Sequence, residues 1–240
     1  MVSFTQSDLN QFQYRDWISY FQENDTKRLK IDFSEEIPLA EDLQKIVFPS
    51  IRAFQKGEGS DGRFLLDTVD RYIKNGGPAE YRQAMLLFIK EENWHSAYLK
   101  AYMDHYRIPS AKRSFLDAVF RKLRHMGGIK CEVTVLVTAE IIALTYYDAL
   151  SNCSDSKALK QICRQMLDDE VPHIIFQSYT LSRLKPGGSD RFFRRLIMNI
   201  TLLFVWWAFH KPYQKGGYGF LRFMKENNEN LRQSILLSQR

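Results

Sequence analysis

Two stretches of this 240-residue sequence share one arrangement: "ENWH" at 92–95 and "EVPH" at 170–173 each place a glutamate three residues before a histidine. Residues three apart on a helix lie on one face, so each pair aims a carboxylate and an imidazole at the same point. A lone pair of this kind is an ordinary surface ion pair. Here each sits in an apolar series at three-and-four spacing. One series runs Met85, Phe88, Glu92, His95, Leu99, Met103, Tyr106; the other runs Leu159, Ile162, Met166, Glu170, His173, Gln177, Leu181, Leu184. That spacing marks a face turned toward a core. Two more such series are interrupted by acids: Val133, Leu136, Glu140, Leu144, Tyr147, and Val47, Ile51, Phe54, Glu58, Asp61, Leu65, Val69.

Four ionised carboxylates converging in a medium of low dielectric cannot all stay charged. Two divalent cations would cancel four negative charges. Oxygen and imidazole donors in this number suit iron or manganese better than zinc, which favours four-coordinate sites richer in sulfur or histidine. The groups on these faces that could hold such cations are Glu92, His95, Glu140, Glu170 and His173, with Glu58 or Asp61 from the fourth series. Asp61 is the alternative to Glu58, because "KGEGSDG" at 56–62 is poor helix-forming sequence. Pro172 stands inside one of the pairs. A proline there removes a helical hydrogen bond at a cost of about 3 kcal/mol and should bend the helix at the ligands. Either metal coordination offsets that strain or the kink is merely tolerated.

The elements that must position these groups read as helices. Only seven prolines and twelve glycines punctuate the chain, and the segments between them are long. Caps and breakers place helices over Ser7–Glu23, Leu39–Lys74 (disturbed at Pro49 and at Gly57, Gly59 and Gly62), Pro78–Arg107, Pro109 to the glycines at 127–128, Ile129–Ser151, Asp155–Leu184, 191–210, and a polar C-terminal stretch after "GGYG". One domain over 1–240 is the simplest account, with acid-bearing helices over about 39–184 and flanking helices over about 7–23 and 189–237.

Composition narrows the function classes. Nearly half of the residues are apolar and a quarter charged, the profile of a globular protein. Cys131, Cys153 and Cys163 are odd in number and lack a CxxC spacing, which argues against a disulfide framework or zinc site and fits a reducing cytoplasm. The start, "MVSFTQSDLNQFQYRDW", has neither the basic nor the apolar region of a signal peptide. The formal charge is +6; basic clusters at 121–125 and between Arg183 and Arg195 read as solvated helix faces or as a docking surface for an acidic protein. No motif supports nucleic-acid binding. The run "LIMNITLLFVWWAF" at 196–209 is shorter than the roughly 20 residues of a membrane span and contains Asn199. It reads as a buried core helix, with no membrane contact expected, and could wall an apolar pocket.

In chain order the acids and histidines resemble the ferritin-like di-iron carboxylate superfamily, in which a four-helix bundle supplies Glu, Glu-x-x-His, Glu, Glu-x-x-His. The resemblance covers roughly residues 40–185. It implies an all-α, ferritin-like four-helix bundle with additional N- and C-terminal helices, and a centre of two iron ions or a manganese–iron pair. It implies that Glu92 and Glu170 bridge the metals while Glu58 and Glu140 are each terminal on one. Family members often carry an acid before the Glu-x-x-His glutamate, bonded to the histidine of the opposite helix. This pairs Asp169 with His95 and Glu91 with His173, unless both acids sit at the helix flank in solvent.

The activity implied is oxygen-dependent oxidation of an apolar organic substrate, with dioxygen and an acidic electron-donor protein as partners. Trp94, Phe88, Leu144, Phe176 or the 196–209 helix would line the pocket, or are ordinary core. Tyr147, seven residues past Glu140, is the candidate catalytic residue, as a radical or proton relay. A ferroxidase or iron-handling protein is the alternative, and a non-enzymatic metal-binding helical module the second. Oligomeric state is left open, a homodimer being one assembly offered by analogy with related bundles.

Overall fold

The computed structural model describes residues 12–59, 62–111, 127–184, 187 and 189–239, which form helices and their connections. The first helix, α1, spans Tyr14–Asp25; the start expected at Ser7 lies outside the described residues. So does most of the helix expected after Pro109, with the basic run at 121–125 and His125.

A single disturbed helix over 39–74 is expected from sequence, and two are found: α2 (Glu41–Glu58) and α3 (Arg63–Lys74). The break is set by glycine. Gly62 opens α3 at φ 65°, and a Cβ there would stand 2.5 Å from Cδ1 of Ile89. Only glycine meets both conditions without strain. Pro49, by contrast, is carried within α2.

Next come α4 (Glu80–His105), α5 (Gly128–Asn152) and α6 (Lys157–Arg183). Ser156 caps α6, its Oγ accepting from the Leu159 amide at 3.0 Å. α6 is helical through Pro172, so the proline does not end the element. The chain closes with α7 (Asp190–Lys215) and α8 (Phe220–Leu237). α7 departs from helical torsions at Phe209 (φ −132°, ψ 18°), just before Pro212, whose ring cannot donate to the carbonyl of Ala208.

The packing follows from where apolar residues fall. α5 is apolar nearly all round and is buried nearly all round. It runs along α6 and touches α3, α7 and α8; α4 lies against α1, α2, α3 and α6. The core separates into two large apolar clusters and a small one of Cys131, Val135 and Ile197. One large cluster gathers the later half of α4 (Tyr98 to Met103) with α2, α5, α7 and α8. The other large one gathers the early half of α4 (Tyr81 to Ile89) with α1, α3, Phe176 and Tyr179. On α4 the gap between the two is the stretch that carries Glu91, Glu92 and His95.

Two helices, α5 and α7, are long and apolar enough to cross a membrane by length and composition. Within its most apolar stretch α5 is 89% buried, as befits a core helix. The same stretch of α7 is only 33% buried. The reading of 196–209 as a buried core helix is therefore corrected. Met198, Leu202 and Val205 face the core, but Leu203 and Trp207 are 56% and 74% exposed. A 3.6-residue period puts successive apolar residues on both sides of such a helix, and among the described residues the helices that pack on it leave the Phe192–Trp207 stripe exposed.

At the end of α7, Gly216 lies against the end of α5. A Cβ there would stand 2.1 Å from the Ala149 carbonyl oxygen and 2.5 Å from its Cα. Backbone cannot give way as a flexible side chain does. Gly216→Ala should lower stability by about 1–3 kcal/mol, read as a drop in the urea midpoint at unchanged slope.

Candidate metal centre

Four helices deliver acids and imidazoles to one place between the two apolar clusters. α4 brings Glu91, Glu92 and His95; α6 brings Asp169, Glu170 and His173; α5 brings Glu140; α2 brings its last residue, Glu58. His95, Glu91, Glu170 and His173 have no exposed surface, while the Glu92 side chain keeps 15% of its own. Glu58 is half-buried.

Nδ1 of His173 lies 2.9 Å from Glu92, 3.6 Å from Glu170 and 4.0 Å from Glu140. Nδ1 of His95 lies 3.6 Å from Glu170 and 3.7 Å from Glu92. The donor atoms fall into overlapping groups, each with all members within 4.8 Å of one another. One is Glu92, Glu140, Glu170 and His173; another is Glu58, His95 and Glu170; a third joins Glu92 to both histidines. Glu170 thus belongs with each histidine, and so does Glu92.

Behind each ring stands an acid. Nε2 of His95 is 3.1 Å from Asp169, and Nε2 of His173 is 3.2 Å from Glu91. A carboxylate only accepts, so Nε2 carries the proton and Nδ1 is the nitrogen turned to the centre. Asp169 and Glu91 are buried, not set in solvent at the helix flank.

The two acids are themselves tied together by a residue that sequence reasoning missed. The side-chain amide of Asn24, near the end of α1, donates to Glu91 Oε1 and to Asp169 Oδ1, both at 2.9 Å. One signal could have found it. Asn24 continues the buried face Tyr14, Trp17, Phe21 at spacings of three, four and three. Gln165 adds bonds of 3.1 and 3.0 Å to the two oxygens of Asp169.

Glu58 is positioned from two sides. The Tyr147 hydroxyl, wholly buried, donates to Glu58 Oε1. The end of α2 is pinned to α4 by Gln55, whose amide donates to Ser96 Oγ and whose carbonyl accepts from it, both at 3.0 Å. Gly59 permits the approach, since a Cβ there would stand 2.8 Å from Ser96 Oγ. Asp61, the alternative to Glu58, lies outside the described residues.

The apolar surround is unequal. Phe88 stands edge-on to His173 at 4.9 Å between centroids, with Phe21 at 6.1 Å and Phe176 behind. Leu144 is buried. Trp94, expected to line a pocket, turns outward instead: it is 37% exposed and lies under the Arg28 guanidinium at 5.1 Å. His105 stacks on Phe33 and His210 sits near Trp206, away from the cluster.

The electrostatics record how crowded the centre is. Burial first, then the charge of Glu140, pushes the carboxyls of Glu92 and Glu170 well above the usual range. Burial raises Glu140 as well. For His173 burial favours the neutral ring, but the carboxylates of Glu170, Glu91 and Glu92 outweigh it and hold its proton far above the ordinary value. Asp169 goes the other way. Burial opposes its charge, yet the hydrogen bond and charge of His95 bring it down to about 2.

The donor set can be tested against a metal on its own terms. Nδ1 of both histidines, both oxygens of Glu170 and Oε1 of Glu92 are buried with no hydrogen bond unless His173 Nδ1 carries a proton, which would then pair it with Glu92 Oε1 at 2.9 Å. Each such atom costs about 1–3 kcal/mol. Buried polar atoms are rarely left so, and here five face one small volume. Coordination to a cation would satisfy all five. This buried cluster of glutamates and histidines is of a kind that could hold a metal ion, and in an all-helical chain it is compatible with a ferritin-like centre. No family model, curated protein or solved structure matches the chain.

Two outcomes follow from this geometry. Asn24→Ala removes the amide that joins Asp169 and Glu91, and loss of such outer support should weaken metal binding roughly 10–100-fold. Isothermal titration should show that loss with the helical circular dichroism unchanged. Metal must also displace the protons held by Glu92, Glu140, Glu170 and His173. Affinity should therefore rise with pH, and loading near neutrality should release protons, measured as a buffer-dependent binding enthalpy.

Proposed function

We propose that this chain is a ferritin-like di-iron carboxylate protein of a single domain, which uses dioxygen to oxidise an apolar organic substrate. The observation that carries the reading is the overlap of the donor groups. Glu170 and Glu92 are each shared between a His95 side and a His173 side, as two adjacent metal positions with bridging carboxylates require.

On this reading Glu58, His95, Glu140 and His173 would hold the metals together with Glu92 and Glu170, the two carboxylates common to both sides. Two iron ions, or a manganese–iron pair, would supply electrons and Lewis acidity toward dioxygen. The chain supplies the rest. Asp169 and Glu91 fix which nitrogen of each imidazole faces inward. Phe21, Phe88 and Phe176 exclude water from the His173 side. Tyr147 holds its proton, because burial and the charges of Glu58 and Glu170 push the phenol well above its ordinary value. That hydroxyl donates to Glu58, where it would serve as a proton relay or radical site.

Glu58 and Glu92 are the most exposed of the four candidate ligand carboxylates, so dioxygen and substrate would reach the centre from their side. The free cysteines Cys131, Cys153 and Cys163 suit a reducing cytoplasm. An acidic electron donor would find counter-charge on a chain of net charge +6.

Anaerobic titration with ferrous iron, followed by air, tests this. Binding should saturate at two irons per chain, and air should bring a near-ultraviolet charge-transfer band with oxygen uptake. Glu170→Gln should lose the second iron and the oxygen uptake. Uptake of hundreds of irons per assembly would make iron itself the substrate, and iron bound without any response to oxygen would leave a structural centre.

A further inference from the structure

Five side chains on the outward face of α7 form one stripe: Phe192, Leu196, Ile200, Leu203 and Trp207, at spacings of four, four, three and four. They are 71%, 45%, 44%, 56% and 74% exposed. At 1.5 Å per residue the stripe is about 22 Å long, and at 100° per residue it occupies a sector of about 80°. An exposed apolar strip of this length on a helix marks a surface that something covers.

The charges around it say what. From Arg191 to Lys225 the sequence holds no acid and seven cations. Arg191 and Arg195 are exposed at one end of the stripe, Lys211 and Lys215 at the other. The nearest preceding acid, Asp190, is already engaged by Lys130 at 2.7 Å.

A second copy of the chain is a poor fit. In a two-fold contact the same patch meets itself. Antiparallel helices would set Arg191 and Arg195 against Lys211 and Lys215, and parallel helices would set each cationic end against its own copy. A bilayer with acidic lipids complements both features at once, with acyl chains for the stripe and phosphates for the cations. The helix would lie along the surface and not cross it, because Met198, Leu202 and Val205 on its other face are committed to the protein core.

We infer that the outward face of α7 docks this protein on an anionic lipid surface, with Phe192, Leu196, Ile200, Leu203 and Trp207 in the acyl boundary and the flanking arginines and lysines on lipid phosphates. This reverses the expectation drawn from the length of the apolar run, and it holds whatever the metal centre does.

Vesicle flotation of the full chain tests it, with phosphatidylcholine alone and phosphatidylcholine mixed with phosphatidylglycerol. The wild type should float with the mixed vesicles, less so at high salt and little with the neutral ones. The double variant Leu203→Glu, Trp207→Glu should lose at least tenfold in partitioning, with circular dichroism and iron stoichiometry unchanged because both positions face outward. Brominated acyl chains should quench the wild type's tryptophan fluorescence and leave a Trp207→Phe variant largely unquenched. Wild-type protein that stays with the aqueous phase overturns the inference. So does sedimentation that shows a homodimer which the double variant dissociates, for then the stripe is an interface between copies.

Discussion

Charge gathered in a dry interior is the constraint on which the rest of this molecule depends. Glu92, Glu140 and Glu170 surround two imidazoles with no water-facing escape for most of their oxygens, and Glu58 closes the group from the end of α2. A protein can tolerate such an arrangement only by protonating it, pairing it or handing it to a cation. The raised carboxyls and the firmly held proton on His173 show the first two at work. The donor atoms left without hydrogen bonds show where they fall short, and that shortfall gives the centre its capacity for metal.

The framework is arranged to resist the tendency of such a cluster to fly apart. Apolar packing lies on both sides of it, one cluster closing over the early half of α4 and the other over the late half. The histidines are held from behind, and the acids that hold them are held in turn. Asn24 makes α1 part of this outer ring although α1 contributes nothing to the inner one. The glycine-broken joint between α2 and α3 serves the same end, since it lets the tip of α2 approach α4 closely enough for Gln55 and Ser96 to fasten it. Pro172, a local defect beside His173, is absorbed by a helix already fixed along α5 and α4. Tertiary packing there outweighs the local cost of one missing hydrogen bond.

α5 and α7 show how composition alone misleads. Each has an apolar stretch long enough to cross a membrane. α5 is flanked on several sides by other helices and disappears into the core. Among the described residues α7 is met by α5, α8 and α2 on one side, while the stripe from Phe192 to Trp207 on the other is exposed. What distinguishes them in sequence is charge: the cations of α7 cluster at its ends without acids to pair them, whereas α5 carries Glu140 inward. Arg194 is the exception on α7, buried with its guanidinium donating to Ser234 and Ser238 at 2.6 and 2.8 Å.

The helices that carry the acids were legible in the sequence, because three-and-four spacing is a local property that survives whatever the helix packs against. So were the residues that meet, since a carboxylate or histidine that interrupts an otherwise apolar face points to a polar site in the interior. The acids behind the imidazoles, Asp169 for His95 and Glu91 for His173, followed from the family resemblance and stand as it implied. Other partners were not legible: that Asn24 spans both acids, that Tyr147 reaches Glu58, and that Trp94 turns away are facts about distances between helices far apart in the chain. The split of 39–74 into two helices was half-visible: the glycines announced a disturbance, but only the approach of Ile89 to Gly62 decided that the helix must stop. The apolar pattern of 196–209 did not decide its fate. A periodic apolar pattern records that a helix has a face to bury, whereas the neighbours available to bury it are set by how every other helix has already packed.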